Sequence, residues 1–266
     1  MPSVDTLIPT TNNTPGDAEK LGFRFGDKGT HTSRTMMLDE LRTVMHAVPA
    51  SGTRKDYAAA IIEENCLAKP TLATRRLSNQ RLGELYGLDP QVAVFRVLRR
   101  LRDADERSRP LLALLCALAR DPLLRGTVEA VVGLQPGEEF RRVRTREVLR
   151  EAVGTRLNDS ILDKVVRNAA SSWTQAGHLA GRTFKKRQRV AATAWTVAYA
   201  LYLGRAIGFR GAELFSSGWM TVLDASPPDA RTLALEAKRL GLIDLSISGD
   251  IVDIALDRLD PSPGTG

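Results

Sequence analysis

Basic side chains form four clusters in the sequence, and the chemistry they offer is contact with phosphate groups. The clusters comprise Lys69, Arg75, Arg76 and Arg81; Arg96, Arg99, Arg100 and Arg102; Arg141, Arg142, Arg144, Arg146 and Arg150; and Arg182, Lys185, Lys186, Arg187 and Arg189. Such side chains bind the backbone of nucleic acids with salt-dependent affinity and without reading sequence. The chain has a formal net charge of +7, of which residues 31–211 carry +13 and residues 212–266 carry −5. This distribution favours a polyanionic partner, and the alternative is an arginine-rich composition without a binding role.

Catalytic motifs are not recognisable in the sequence. It lacks a phosphate-binding glycine loop, a dinucleotide-binding glycine pattern and a nucleophile elbow. The three histidines, His31, His46 and His178, lie far apart without metal-ligand spacing. We interpret each as a surface or helix-capping residue. The sequence therefore predicts a protein that is not an enzyme and uses no cofactor or metal.

The elements that position the basic clusters are predicted to be helices. Aromatic residues make up only 5% of the chain, whereas leucine, alanine and arginine are abundant. We predict a mainly α fold: a multi-helix bundle with helix-turn-helix or winged-helix-like units and a short C-terminal β-hairpin at 242–256. The predicted organisation is a disordered tail at 1–20, a helical lobe at 21–134 and a second lobe at 138–260. One continuous domain is the alternative.

Apolar periodicity and capping residues predict the helix boundaries. The predicted helices span 33–47, 53–65, 72–86 after a Thr71 cap, 90–101, a leucine-rich stretch from Pro110 to Arg120, 145–153, a long helix through Ala176 that Asn158 or Asp159 caps, 188–207, and from Ser226 to near Gly241.

A first helix-turn-helix candidate is the predicted helix 53–65 with the helix that follows Thr71. Its second helix presents Thr71, Thr74 and Arg75 from the N-terminal half, which is the half that reads base edges in such motifs. The alternative is an ordinary helical hairpin without a binding role.

A second candidate is the predicted helix 159–176 and the basic run after it. Lys164, Arg167 and Asn168 lie opposite the apolar stripe of this helix. A tight turn at Gly177 and a basic β-excursion over 182–189 would complete a winged helix. The alternative is that the run is the solvated start of the next helix, but positive charge there opposes the helix dipole.

Together the two candidates define the predicted contacts to double-stranded DNA. They are Lys69, Thr71, Thr74, Arg75, Arg76, Lys164, Arg167, Asn168, Arg182, Lys185, Lys186, Arg187 and Arg189.

Several short segments, taken in order, resemble the BrxA family of bacterial BREX phage-defence systems. They lie at 60–75, 112–125, 157–179, 217–219 and 237–243, so the resemblance covers about 22–256. It implies a helical, non-enzymatic, DNA-binding accessory protein that acts with other BREX proteins, such as the methyltransferase and the ATPase. The family's fold has been likened to the RNA-binding factor NusB. The alternatives are therefore a protein-interaction or assembly subunit of the defence complex and a NusB-like RNA-binding protein.

Several features of the sequence predict where in the cell the protein is found. The start lacks the basic and apolar regions of a signal peptide, and the longest apolar stretch, 190–203, is too short to cross a bilayer. Cys66 and Cys116 lie in apolar helical patterns, as expected for reduced core residues. We expect a cytoplasmic protein without a membrane partner.

Overall fold

The leucine-rich helix α6 (Arg109–Arg120) lies at the centre of the hydrophobic core in the computed structural model, which describes residues 15–26, 28–101, 105–248 and 251–261. Pro110 occupies its first turn, and every residue from Leu111 to Arg120 is buried. A helix that is apolar on all sides must be surrounded by other elements, and helices before and after it in the chain pack against it.

The remaining elements are mainly helices, which confirms the predicted fold class. Before α6 come α1 (Pro15–Lys20), α2 (Leu38–Ala47), α3 (Arg54–Ile62), α4 (Leu72–Tyr86) and α5 (Ala93–Arg100). After it come α7 (Pro122–Arg125), α8 (Val128–Val132), α9 (Arg142–Val153), α10 (Asp159–Gln175), α11 (Ala194–Ala206), α12 (Gly218–Val222) and α13 (Pro227–Arg239). Strands β1 (Leu179–Ala180) and β2 (Lys186–Arg187) pair antiparallel, as do β3 (Asp244–Ser248) and β4 (Ile251–Ala255), which form the predicted C-terminal hairpin.

Three helix starts lie where their capping residues predict them. The Thr71 hydroxyl accepts the backbone N–H of Thr74 at 3.2 Å, and the Asn158 side chain accepts that of Ile161 at 2.9 Å. Ser226 caps α13 in the same way. These bonds satisfy N–H groups that have no partner within the helix, so the cap residue fixes where α4, α10 and α13 begin.

Two helices begin later than predicted, because the segments before them bond to distant elements. The segment before α2 is extended, since the backbone N–H of Met36 donates to Ser172 Oγ at 2.8 Å. The segment before α11 is held by Asp224, which accepts the N–H of Val190 at 2.8 Å. Helix α11 then starts after Thr193, whose side chain accepts the N–H of Thr196.

The other boundaries shift by a few residues. Helix α3 ends at Ile62, α5 starts at Ala93 and α9 starts at Arg142. Within the predicted disordered tail, Pro15–Lys20 forms α1, and its Ala18 is buried in the core. Residues 1–14 lie outside the described residues.

The core connects the two predicted lobes. One cluster of buried apolar side chains includes residues from Ala18 to Leu259, and α6 contacts α4 and α5 as well as α10 and α11. The division into lobes stays a prediction. Within the described residues, no helix is both long and apolar enough to cross a membrane.

Two buried arginines in the segment 119–125 bond to the ends of neighbouring helices. Arg120 donates to the carbonyl oxygens of Gly83 and Glu84 at the end of α4, at 3.2 Å each. Arg125 donates to Leu118 at 2.8 Å, and burial lowers its pKa to about 10. Guanidinium groups at the C-terminal ends of helices satisfy carbonyls that the helix leaves free. This segment therefore holds helices together.

Candidate nucleic-acid interface

Strand β2 pairs with a segment on each side, so the three segments form a small sheet. On one side β2 pairs with β1, and on the other side it bonds to residues 137–140. The backbone N–H of Gly137 donates to the Arg187 carbonyl, and that of Phe140 donates to the Lys185 carbonyl, both at 2.8 Å. The sequence did not predict the segment 137–140 as part of this sheet.

The order of these elements is that of a winged helix. The chain passes from the segment 137–140 through α9 and α10 to β1, and returns along β2, which lies in the middle of the sheet. Residues 181–185 form the loop between β1 and β2. We call residues 137–189 the winged unit. Its helix, tight turn and basic hairpin agree with the prediction for 159–189.

Helix α10 is fixed against the core by one face and exposes the opposite face. Its Leu162, Val165 and Trp173 are fully buried, and the Trp173 indole N–H donates to Thr127 Oγ1 at 2.8 Å. Lys164 and Arg167 are exposed, and their spacing of one turn places them side by side. No described residue forms a hydrogen bond or ion pair with either side chain.

Cations from α9 and the hairpin lie near the C-terminal end of α10. Arg142 at the start of α9 is exposed, as are Arg182 and Lys186 in the hairpin. The Lys185 ammonium donates to Thr174 Oγ1 on α10 at 2.8 Å. Burial lowers the pKa of Lys185, and the nearby charge of Arg142 lowers it further. The start of α9, the end of α10 and the hairpin therefore meet at one surface.

The winged unit carries all of the net charge of the chain. Residues 137–189 hold 13 basic and six acidic side chains, a net charge of +7, while the other residues hold 25 of each sign. Two of the six acids, Asp159 and Asp163, lie on the first turns of α10, where Arg146 approaches them at 3.6 and 3.5 Å. The winged unit is therefore a region of net positive charge, while acids at 1–30 and 212–266 offset the cations of the remaining chain.

Arg187 corrects the predicted set, because its side chain points into the protein. It is 2% exposed and pairs with Asp224 at 2.5 Å. Its neighbour Lys186 is exposed, as the alternation of side chains along a strand requires. A guanidinium in this position cannot reach a phosphate.

Three further predicted contacts in the winged unit have partners within the protein. Asn168 donates to the His31 carbonyl at 2.8 Å, so it faces the N-terminal segment instead of solvent. Arg189 is exposed and donates to the Asp224 carbonyl at 3.3 Å. Lys185 is held by Thr174, as described above. The exposed predicted contacts without a described partner here are Lys164, Arg167, Arg182 and Lys186.

The first helix-turn-helix candidate is built differently. Residues 63–71 separate α3 from α4, which is longer than the roughly three or four residues of that motif. Lys69 pairs with Glu40 at 3.1 Å, and Arg75 donates to the carbonyls of Ile62 and Lys69 at 3.3 Å each. These bonds tie the turn to α2 and α4, and α4 to the end of α3.

The threonines at the start of α4 also form hydrogen bonds within the protein. Thr71 and Thr74 satisfy each other's backbone groups in a capping box. Of the contacts predicted in this helix pair, only Arg76 is exposed and free of hydrogen bonds and ion pairs to the described residues.

The sequence did not predict a buried Ser–His–Asp chain of hydrogen bonds, formed by Ser172, His31 and Asp121. His31 Nδ1 lies 2.8 Å from Asp121 Oδ2, and His31 Nε2 lies 2.8 Å from Ser172 Oγ. The three side chains are buried, so no substrate reaches the serine. Ser172 Oγ also accepts the N–H of Met36 and donates to the Asn168 carbonyl at 2.9 Å. The Ser–His–Asp chain therefore joins the N-terminal segment and the α6–α7 junction to α10.

The interpretation of the histidines as surface or cap residues is wrong for two of them. His31 and His178 are both 0% exposed, whereas His46 is exposed. His178 Nε2 lies 2.7 Å from the Val222 carbonyl, and its ring packs edge-on against Trp173. Burial lowers the pKa of His178 to about 4. The partners of both rings are distant in sequence, so spacing could not reveal them.

Within the described part of the chain, no three His, Cys, Asp or Glu side chains form a group that could hold a metal ion. Comparison with known proteins adds no relative, since neither a protein-family model nor a curated protein matches this sequence. The resemblance to BrxA stays a prediction.

Proposed function

We propose that this protein is a non-enzymatic accessory protein that binds double-stranded DNA through its winged unit. The observation that carries the proposal is the placement of charge. The unit has a net charge of +7, and exposed cations without a described partner lie on α9, α10 and the hairpin, which pack against one another. Clustered, unpaired cations on one face are the electrostatic footprint of a nucleic-acid-binding surface.

Helix α10 is the element that enters the major groove in this proposal. The groove is roughly 12 Å wide and admits one α-helix. Lys164, Arg167 and Ser171 lie on the exposed side of α10 and offer donors for base edges and phosphates. Arg142 and Lys186 are exposed and would contact phosphates of the flanking backbone, which set the register of the complex.

A mobility-shift titration with a random-sequence duplex at about 50 and about 200 mM salt tests the proposal. We expect a shift at low salt and an affinity that falls by orders of magnitude at high salt, because bound phosphates release counterions. The absence of a shift at low salt would contradict the proposal. RNA hairpins as competitors separate the RNA-binding alternative: that function requires RNA to displace duplex DNA more effectively than unlabelled duplex does.

The BrxA resemblance extends the proposal to phage defence. In that setting the protein would bind DNA beside the methyltransferase and the ATPase of a BREX system in the cytoplasm. Deleting the gene from its native operon, and complementing it with the wild type or with Lys164→Glu/Arg167→Glu, tests this extension by phage plating. We expect only the wild type to restore resistance. Full protection without the gene would contradict the extension.

A second candidate function is assembly with a protein partner through the β3–β4 hairpin. Ile247 and Ile251 are 41% and 74% exposed, and the segment 212–266 carries a net charge of −5. Exposed isoleucines at a sheet edge favour a protein contact. Co-purification with Ile247→Ser/Ile251→Ser tests this function without removing the core helix α13. We expect partner proteins to be lost while duplex binding stays unchanged.

A further inference from the structure

Among the described residues, one aromatic side chain lies outside the core, in the hairpin of the winged unit. Phe184, in the loop between β1 and β2, is 69% exposed. The other phenylalanines lie in the core or pack against it: Phe23, Phe25, Phe95, Phe140, Phe209 and Phe215. Phe184 also stands among cations, since Arg182 precedes it by two positions and Lys185 and Lys186 follow it. A large apolar side chain exposed among cations requires an explanation.

The loop that presents Phe184 has a fixed shape. Gly181 has a φ of +113°, a conformation that glycine alone adopts readily, and a Cβ there would lie 2.2 Å from the Phe184 carbonyl oxygen. Lys185 donates to the Gly181 carbonyl at 3.2 Å and to Thr174 on α10 at 2.8 Å. The loop is therefore closed on itself and anchored to α10. The exposure of Phe184 is built into the fold.

We propose that Phe184 is an apolar wedge that enters the minor groove of duplex DNA while α10 occupies the adjacent major groove. The inference rests on the proposed function and adds a second contact to the same interface. Proteins that insert phenylalanine into the minor groove partly unstack a base step there, and neighbouring arginine and lysine side chains bind the flanking phosphates. Arg182 and Lys186 are exposed on this loop and strand and provide those cations.

The proposal specifies the kind of DNA that is bound best. Unstacking costs least at pyrimidine–purine steps, above all TA, because these steps are the most flexible. The protein should therefore prefer duplexes with a TA step one groove away from the site of α10. This preference does not require a hydrogen bond to a base.

Phe184→Ala tests the wedge in the full-length protein. By fluorescence anisotropy with a labelled duplex, we expect affinity to fall about tenfold, because the apolar contact is lost. The salt slope should stay unchanged, since no charge is removed. Ile251→Ala is the matched control, because Ile251 is 74% exposed on the other hairpin, and it should bind like the wild type. Lys186→Ala should reduce the salt slope by about one.

Equal affinity of wild type and Phe184→Ala for duplex DNA overturns the wedge and leaves the proposed function intact. Failure of the wild type to bind duplex DNA overturns both. These two failures are therefore distinct.

A tryptophan at this position reports on insertion directly. Phe184→Trp adds an exposed indole to a protein whose Trp173 and Trp219 are buried and whose Trp195 is partly buried. We expect its emission to be quenched by duplex DNA with a TA step, as the ring stacks on a base. No quenching beyond that of the wild type would contradict insertion.

Discussion

Two helix pairs in this protein begin their second helix with polar and basic side chains, and those side chains have different partners in each pair. In the α3–α4 pair, Thr71, Thr74 and Arg75 bond to backbone groups of the same pair, and Lys69 bonds to Glu40. In the winged unit, the cations on the outer face of α10 have no described partner. Residues 53–86 hold six basic and four acidic side chains, against 13 and six in 137–189.

A basic cluster therefore indicates a binding surface only when its side chains lack partners within the protein. Arginines can serve a fold by satisfying carbonyl oxygens at helix ends, as Arg75, Arg120 and Arg125 do here. Such side chains contribute to a sequence pattern but offer nothing to a ligand. A binding surface requires cations whose charge remains uncompensated and exposed.

Arg187 and Lys186 allow a test of this distinction within the winged unit itself. Arg187→Ala should lower the free energy of unfolding by about 3–5 kcal/mol, because it removes a buried side chain and leaves the carboxylate of Asp224, which is only 12% exposed, without its ion-pair partner. The adjacent Lys186→Ala should change it by less than about 0.5 kcal/mol, since Lys186 is exposed. Urea unfolding of both variants measures this. Similar stabilities of the two variants would contradict the burial of Arg187.

Acid should destabilise the protein through His178. Burial lowers its folded pKa to about 4, whereas the unfolded value is near 6.5. As pH falls below about 6.5, the unfolded state takes up the proton first, so stability present above that pH is lost progressively towards pH 4. The loss from this group is at most about 3 kcal/mol.

The check is the difference in unfolding free energy between pH 7 and pH 4.5 for the wild type and for His178→Gln. The variant should lose clearly less stability than the wild type over this interval. Equal losses would show that His178 is not the group that titrates.

Ser172→Ala should lower the free energy of unfolding by about 1–3 kcal/mol, because it leaves the N–H of Met36 and a nitrogen of His31 buried without a partner. Ser171→Ala is the matched control on the outer side of α10, where Ser171 is partly exposed, and it should be neutral in stability. Thermal unfolding of the two variants compares them. A neutral Ser172→Ala would show that the Ser–His–Asp chain does not fix α10.

Thr71→Ala tests whether the start of α4 serves the fold alone. It should cost about 1 kcal/mol of stability, the usual value for a lost N-cap, and leave duplex affinity unchanged. Urea unfolding and anisotropy on the same preparation measure both quantities. Weaker DNA binding without a loss of stability would place α4 in the interface.

Local signals in the sequence predicted the elements better than the partners of their side chains. Capping residues placed the starts of α4 and α10, because a cap bonds to groups two or three positions away. The two-residue alternation of a strand could have placed Lys186 and Arg187 on opposite faces. Which of them is buried depends on Asp224, 37 positions along the chain. His31 likewise meets Asp121 and Ser172 only in the folded chain, 90 and 141 positions away.

The residues of the candidate interface were predicted only in part, for the same reason. The basic run and the outer face of α10 could be read from sequence, and so could the cluster around Arg142. Pairing of 137–140 with β2 brings that cluster beside the hairpin, and no local pattern encodes it. Phe184 has one local signal in the sequence, an aromatic residue between cations after a glycine.

The central claim is that DNA binds the winged unit and not the α3–α4 pair. Fluorescence anisotropy with one duplex at several salt concentrations, for Lys164→Glu/Arg167→Glu and the charge-matched Lys55→Glu/Arg76→Glu, tests it most directly, since all four side chains are exposed. We predict that the α10 variant loses at least about tenfold in affinity and about two units of salt slope, while the α3–α4 variant changes by less than about twofold. Equal losses in both variants, or wild-type binding by the α10 variant, would contradict the claim.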